Sequence, residues 1–380
     1  MRILVAILGI ALLLIVLWDA FETIVLPRRV TRKLRLTRLF YRLTWRPWRA
    51  VARVLPNAKR RESFLSFFGP LSLLVLLSVW AAGLIVGFAL LYWSMGSAVI
   101  LSDGRATFLT DLYLSGTTFF TLGLGDVVPR TTMARLLTVT EGGMGFGFLA
   151  IVIGYLPVLY QSFSRREVNI SLLDARAGSP PTAGELLRRH SHAQGLEALT
   201  ALLHDWERWS AELLESHLSY AALAYFRSQH INQSWLSALT TILDTCALVM
   251  TGVEGACERQ AELTFAMARH ATVDLAQVFN TPPRSPAKDR LPPAKLAHLR
   301  ATLAAAGLQL REGEAVSQQL TRLRHMYEPY VESLADFLYL TLPPWMPESK
   351  RPDNWQSSAW ERSADIVRVG GAGDWDSEHF

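Results

Sequence analysis

The chain has 380 residues, half of them hydrophobic, with a mean hydropathy of +0.19 and a formal net charge of +5. That hydropathy is high for a soluble protein, and the apolar residues crowd the stretch before residue 165, which points to a membrane half followed by a soluble half. The basic residues are clustered as well, which argues for attraction to a membrane surface and against nucleic-acid binding; with only Cys246 and Cys257 there is no disulfide framework.

Ile3 to Trp18 is unbroken apolar sequence that continues through Asp19 and Glu22 to Leu26 and Pro27. A secretory signal would need a small-x-small cleavage site, and Trp18-Asp19-Ala20-Phe21 is bulky and acidic. Residues 1–27 therefore read as a retained transmembrane helix. Asp19 and Glu22, about one turn apart at its inner end, either face Arg28–Arg29 in an anchoring charge cluster or sit among lipid headgroups.

Residues 28–63 are dense in Arg and Lys, with no acid until Glu62. The positive-inside rule makes this segment cytoplasmic, so the N-terminus is expected outside and the next span runs outward. Arg32, Arg35, Arg38, Arg42, Arg46, Arg49 and Arg53 recur every three or four residues, with Leu36, Leu39, Phe40, Leu43 and Trp45 between them. This spacing predicts an amphipathic helix, bent at Pro47, lying on the anionic inner leaflet through Arg32, Arg35, Arg42, Arg46 and Arg49. A voltage-sensing helix has similar spacing, but its preceding spans and acidic partners are missing.

Phe64 to Met95 is long enough to cross with tilt, and Tyr92 and Trp93 suit the outer interface. A short outer loop, 96–106, leads to an expected short helix over Thr107–Phe120. Its carbonyl end would point at the pore axis, where aligned dipoles favour a cation. Such a re-entrant element is tolerated at membrane depth only when buried in protein or lining water, which implies a multi-subunit pore.

The helix leads into T-T-F-F-T-L-G-L-G-D, residues 117–126. Backbone carbonyls can replace the water shell of a cation when successive residues aim their oxygens at one axis. That needs alternate residues in backbone conformations that a Cβ resists and glycine adopts cheaply. Thr121, Leu122, Gly123 and Leu124 would supply the carbonyls, and the Thr121 hydroxyl the innermost ring.

At Thr118, Thr121, Gly123 and Gly125 the sequence resembles the potassium-channel pore family, whose signature T-x-x-T-x-G-x-G it meets in full, with the following acid present as Asp126. The common filter reads T-V-G-Y-G-D, whereas this one, T-L-G-L-G-D, is similar to the second filter of some two-pore-domain potassium channels. The resemblance implies a filter of Thr121, Leu122, Gly123, Leu124 and Gly125, supported by Thr118 and with Asp126 at the mouth. It also implies K+ as the permeant ion. In the family an aromatic at the position of Leu124 braces the filter by a hydrogen bond that leucine cannot make.

Met133 to Phe163 reads as the inner span of a pore domain covering 64–164. Glu141 either raises cation occupancy in a cavity or pairs behind the filter. Among Gly142, Gly143, Gly145 and Gly147, the position of Gly145 matches the family's hinge glycine, while close packing is the commoner use of glycine in membrane helices. Pro157 removes a helix hydrogen bond and should kink the lower end. Glu141, Gly145 and Pro157 are thus cavity or gating candidates.

From Arg165 the sequence turns charged and rich in Ala and Leu. Apolar residues at helical spacing predict a cytoplasmic helical domain over 165–345, with a bundle at 183–342. Asp244 at the centre of the apolar Leu236–Val253 stretch favours a core helix over a further span. Residues 346–380 read as a disordered tail. No G-x-G-x-x-G follows a strand, which argues against a nucleotide-binding regulatory domain. His190, His192, His217 and His270 lack metal-ligand spacing, so a structural role is the better reading. The segment His217 to Trp235 is denser in polar–aromatic pairs than the rest.

The expectation is an all-α membrane protein of three transmembrane helices, a re-entrant pore helix with its filter loop, and a cytoplasmic helical bundle. It is not an enzyme and has no organic cofactor. It would be a homotetrameric, potassium-selective channel, multi-pass in the inner or plasma membrane, with its C-terminus cytoplasmic. A weakly selective cation channel and a signalling scaffold with a vestigial pore are the alternatives.

Overall fold

The computed structural model describes residues 1–26, 35–101, 106–192, 194–230, 232–253 and 257–347, with 353 and 356. Arg28, Arg29, Arg32 and nearly all of the 346–380 tail lie outside the described residues. The chain is mostly helical and divides into two compact units, Met1–Pro56 with Phe64–Gln161, and Asn57–Ser63 with Ser162–Phe380. The break falls at 161/162 rather than at 164/165, and the short 57–63 segment belongs with the second unit.

In the first unit α1 (Arg2–Ala20) ends in a π-helical turn, Phe21–Val25, and α2 spans Leu36–Val54. A short α3 (Ala58–Ser66) crosses from the second unit into the first and precedes α4 (Phe68–Ser94). Two three-residue strands, β1 (Val99–Leu101) and β2 (Val127–Pro129), flank α5 (Phe108–Phe119), and α6 runs from Thr132 to Ala177. The strands pair antiparallel with Val99 opposite Pro129. This ribbon departs from the all-α expectation: strands this short carry no alternating pattern to read.

The helices Arg2–Val25, Ala58–Ser94, Thr132–Ala177 and Trp235–Gly252 are long and apolar enough to cross a membrane. The last differs in being 94% buried within the structure, the environment of a core helix rather than one facing lipid. α1 packs antiparallel on α4 through small residues four apart, Gly83 and Gly87. A Cβ on Gly87 would stand 2.7 Å from the Leu13 side chain, one on Gly83 2.8 Å from Val16, and one on Gly9 2.9 Å from the Gly87 carbonyl. Missing Cβ atoms let the helices approach where lipid gives no hydrophobic drive.

Asp19 is fully buried at this junction, accepting from Trp80 Nε1 (3.0 Å) on α4 and from the Thr37 amide and hydroxyl at the start of α2. Glu22 pairs with Arg35 at 3.3 Å, and Arg35 also donates to the Thr23 hydroxyl. Arg35 is therefore paired within the protein, where Glu22 offers it a largely buried partner. Arg42 and Arg46 are exposed and Arg49 is half-buried. α2 stays helical through Pro47 and lays Trp45 and Trp48 against Phe68 and Phe64, with Trp48 stacked on Phe64 at 4.4 Å.

The second unit comprises the lower part of α6 and α7 (Ala183–Arg189), α8 (Gly195–Ser219), α9 (Trp235–Gly252) and α10 (Glu258–Val278). It is completed by α11 (Pro293–Ala305), α12 (Glu314–His325) and α13 (Glu328–Leu338), with a 3₁₀ turn at Ala221–Tyr225. α9 is the core, nearly every residue buried. Its Asp244 is met by Arg290 (2.5 Å) and the Tyr327 hydroxyl (2.5 Å), and Glu328 bridges Arg290 (3.3 Å) and Arg324 (3.1 Å). Such a network is weak evidence for net stability, but removing one partner strands a buried charge at a cost of about 3–5 kcal/mol.

Candidate functional site: the pore loop

The loop begins where α5 ends. Thr107 caps the helix start, its amide bonded to the Thr110 hydroxyl at 3.1 Å. At the other end the chain folds back on the helix's last carbonyls: Thr121 N–H donates to Thr118 O (2.9 Å) and Leu122 N–H to Thr117 O (2.7 Å). These bonds satisfy amides that would otherwise be orphaned beside a helix terminus. They leave the carbonyls of the next residues uncommitted. Among the described residues, none of the carbonyls of Thr121, Leu122, Gly123 and Leu124 accepts a backbone hydrogen bond.

Thr121, Gly123 and Gly125 have φ of +58°, +54° and +82°, while Leu122 and Leu124 between them are not left-handed. Alternation of hand at every second residue turns successive carbonyls to one side of the strand, the geometry a dehydrating ion path requires. Two of the three left-handed positions are glycines, which adopt this conformation without penalty. Thr121 is not, and a β-branched residue there carries about 1–2 kcal/mol of strain. Residues 121–126 are exposed on the single chain, Leu122 by 61% and Leu124 by 63%.

Asp126 accepts a hydrogen bond from the Tyr113 hydroxyl at 2.8 Å, which ties the mouth back to α5. The ribbon holds the far side, with Arg130 N–H bonded to Ala98 O at 2.8 Å. Arg135 Nε donates to the Pro129 carbonyl at 3.3 Å.

Glu141 is fully buried, hydrogen-bonded by Ser115 of α5 and by the Tyr92 hydroxyl of α4 at 2.9 Å. Ser115 also reaches the Ile85 carbonyl, and Tyr92 the Thr138 hydroxyl. Both of its carboxylate oxygens are thus engaged by α4 and α5. Gly145 packs against the end of α5, where a Cβ would fall 2.0 Å from the Phe119 carbonyl. This is close approach, with the helix unbroken there. Pro157 likewise does not end α6.

Tyr113 and Ser115 are not singled out in the sequence, and Tyr92 only as a residue suited to the membrane interface. Each reads there as an ordinary aromatic or small residue of a membrane helix, and only the azimuth about the helix axis reveals its partner. Among the described residues, no group of three or more His, Cys, Asp or Glu is arranged to hold a metal ion.

Residues 75–161 match the model of a family described as ion channel. The matched stretch holds α4, α5, the loop and the upper part of α6, so the chain carries an ion channel domain there, and the resemblance to a pore-loop family stands. The chain is 24% identical over 192 residues to an uncharacterized membrane protein, YdjJ, of Bacillus subtilis. That alignment covers 50% of this chain and 55% of the relative, so the chain spans little more than half of that protein's length. No solved structure matches the chain. The domain match, the relative and the apolar helices together make this a multi-pass membrane protein.

Proposed function

We propose that the ion channel domain conducts potassium, with four copies of residues 117–126 around one axis and the carbonyls of Thr121 to Leu124 as successive ion sites. The observation that carries this reading is the alternation of left-handed φ at Thr121, Gly123 and Gly125, with the neighbouring amides tied to α5. One chain supplies one loop, and a ring of carbonyls needs several. Thr118 supports the filter through its carbonyl, Asp126 concentrates cations at the mouth, and Gly145 and Pro157 are the gating candidates on α6. The positive-inside rule orients the N-terminus and the mouth outward and the second unit into the cytosol. Exposed Arg42 and Arg46 favour an anionic leaflet.

A second reading, a weakly selective cation channel, is favoured by one observation: the side chain at position 124 is a leucine, exposed on the single chain, with no donor with which to brace the filter. Reversal potentials of the reconstituted protein between opposed potassium and sodium separate the two. A strong potassium preference is expected, and equal permeabilities would overturn it. Gly123→Ala, which forces a Cβ into a left-handed position, should abolish the flux. Intact flux in that variant would remove the filter from residues 121–124.

A further inference from the structure

The polar–aromatic segment from His217 to Trp235 takes no part in the pore loop, yet it gathers three separate parts of the second unit. Arg166, near the lower end of α6, is fully buried, and the turn after α8 receives its guanidinium. Nη1 donates to Leu223 O (2.9 Å) and Nη2 to Phe226 O (2.8 Å), while Nε reaches Glu167 (2.9 Å). The group stands over the Phe163 ring at 5.1 Å, and Trp209 Nε1 donates to the Arg166 carbonyl. His217 completes the enclosure: its Nδ1 lies 2.8 Å from Leu213 O and its Nε2 3.3 Å from Arg166 Nη1. A neutral ring with its proton on Nδ1 fits both contacts.

The next residue after Phe226 reaches elsewhere. Arg227 pairs with Glu62 at 3.2 Å and donates to the carbonyls of Leu338 (2.6 Å) and Tyr339 (3.2 Å) at the end of α13. Arg61 adds a cation–π contact, 5.5 Å above the Tyr339 ring. Further along, Gln233 donates to Asp174 of α6 at 3.0 Å. Adjacent residues of one turn thus hold α6, on one side, and the segment that leads through α3 into α4, on the other. Carbonyls and guanidinium groups at these distances make charge-assisted bonds, which are directional and stiff.

We propose that the turn Leu223–Arg227 is a joint through which the second unit sets the pore, moving the lower end of α6 at Arg166 and the lead into α4 at Glu62 together. It rests on the channel reading above and adds a route of control. A repacking of α8, α9 or α13 displaces this turn, and the turn has rigid bonds to both chain segments that continue into the ion channel domain. Two-state elements biased from a distance work in this way.

The test uses the full-length protein in vesicles, comparing potassium efflux of wild type, E62Q, R227Q, the double variant and the charge reversal E62R/R227E. Glu62 is partly exposed, so E62Q is expected to leave assembly unchanged by size-exclusion chromatography, and it decides the matter if R227Q fails to assemble. Each single change should shift the initial flux about threefold or more in the same direction, with the double no further than the larger single; the reversal, in which a carboxylate at 227 cannot donate to the Leu338 and Tyr339 carbonyls, should stay no closer to wild type than R227Q. Singles that match wild type, or effects that multiply in the double, overturn the joint. A wild type without flux sinks the channel reading by itself. The joint is then judged by amide hydrogen exchange, which must quicken in 58–66 and 162–170 together in E62Q; quickening in one segment alone, or in neither, overturns it.

Discussion

The Tyr113 hydroxyl donates to the Asp126 carboxylate at 2.8 Å, linking the second turn of α5 to the residue that follows Gly125. The side chain at position 124 is a leucine that can brace nothing by hydrogen bonding. The Tyr113–Asp126 bond is therefore a side-chain tether between α5 and the far end of the loop, and it acts one residue beyond Gly125.

Tyr113→Phe keeps the ring and removes the tether. Both groups are exposed on the single chain, so solvent screens the bond and its role is to position the loop rather than to stabilise the fold. The expected outcome is an assembled protein whose potassium-over-sodium preference falls, read from reversal potentials. Unchanged preference would mean that the mouth is held by the β1–β2 ribbon alone.

Gly145→Ala places a Cβ 2.0 Å from the Phe119 carbonyl, against backbone that ends the pore helix. Because the obstacle is backbone, relief requires α6 to move away from α5, at a cost of about 1–3 kcal/mol for overpacking. A lower melting temperature in detergent and loss of flux are expected together. Melting and flux like wild type would show that α6 can shift freely at this level.

Gly87→Ala tests the contact between α1 and α4. Its Cβ would meet the flexible end of Leu13 at 2.7 Å, so the clash lies with a side chain. The single variant should melt lower than wild type, and Leu13→Ala added to it should restore part of the loss, since the second change vacates the space the first one needs. Strictly additive losses would argue that α1 does not pack there.

His217 gives the second unit a pH dependence of definite sign. Burial, and next the charge of Arg166, hold its pKa down at about 3, whereas an unfolded histidine titrates near 6.5. The unfolded chain therefore binds more protons between these values, and stability falls as pH drops through that window, by up to about 1.4 kcal/mol per pH unit from this one group. Melting temperature should decline between pH 6.5 and 5 in wild type and decline less in His217→Gln, which can still accept from Arg166. Parallel declines would place the effect on other groups.

What could be read in advance was what is local. Thr121 to Asp126 are contiguous, so their spacing already contained the alternation of glycine and leucine, and helix α5 was legible to within a residue at each end. Glu141 was ambiguous because a sequence gives height along a helix but not which neighbour faces a given side. That azimuth decides between a cavity and the pair Ser115–Tyr92. The spacing of Arg35 matches that of Arg42 and Arg46, and its pairing with Glu22 is not legible there because Glu22 lies on another helical segment and the proximity is tertiary. The β1–β2 ribbon was missed for a different reason, its strands being too short to show a period. The segment His217–Trp235 was noticed only for its composition, and its meaning lay in partners as distant as Glu62 and Tyr339.

The ribbon changes how the pore loop would come together. Val99 opposite Pro129 and Leu101 opposite Val127 close the loop at its base, so that entry and exit are stapled before any second chain arrives. Closing a loop of this length costs entropy whenever it is done. Here the cost falls on the folding of one chain, and the turn from α5 into residues 121–123 is already fixed by its own amides. In the four-copy assembly proposed above, subunits would then dock shapes already made, and assembly should be faster and less dependent on concentration than one in which the neighbours had to order the loop.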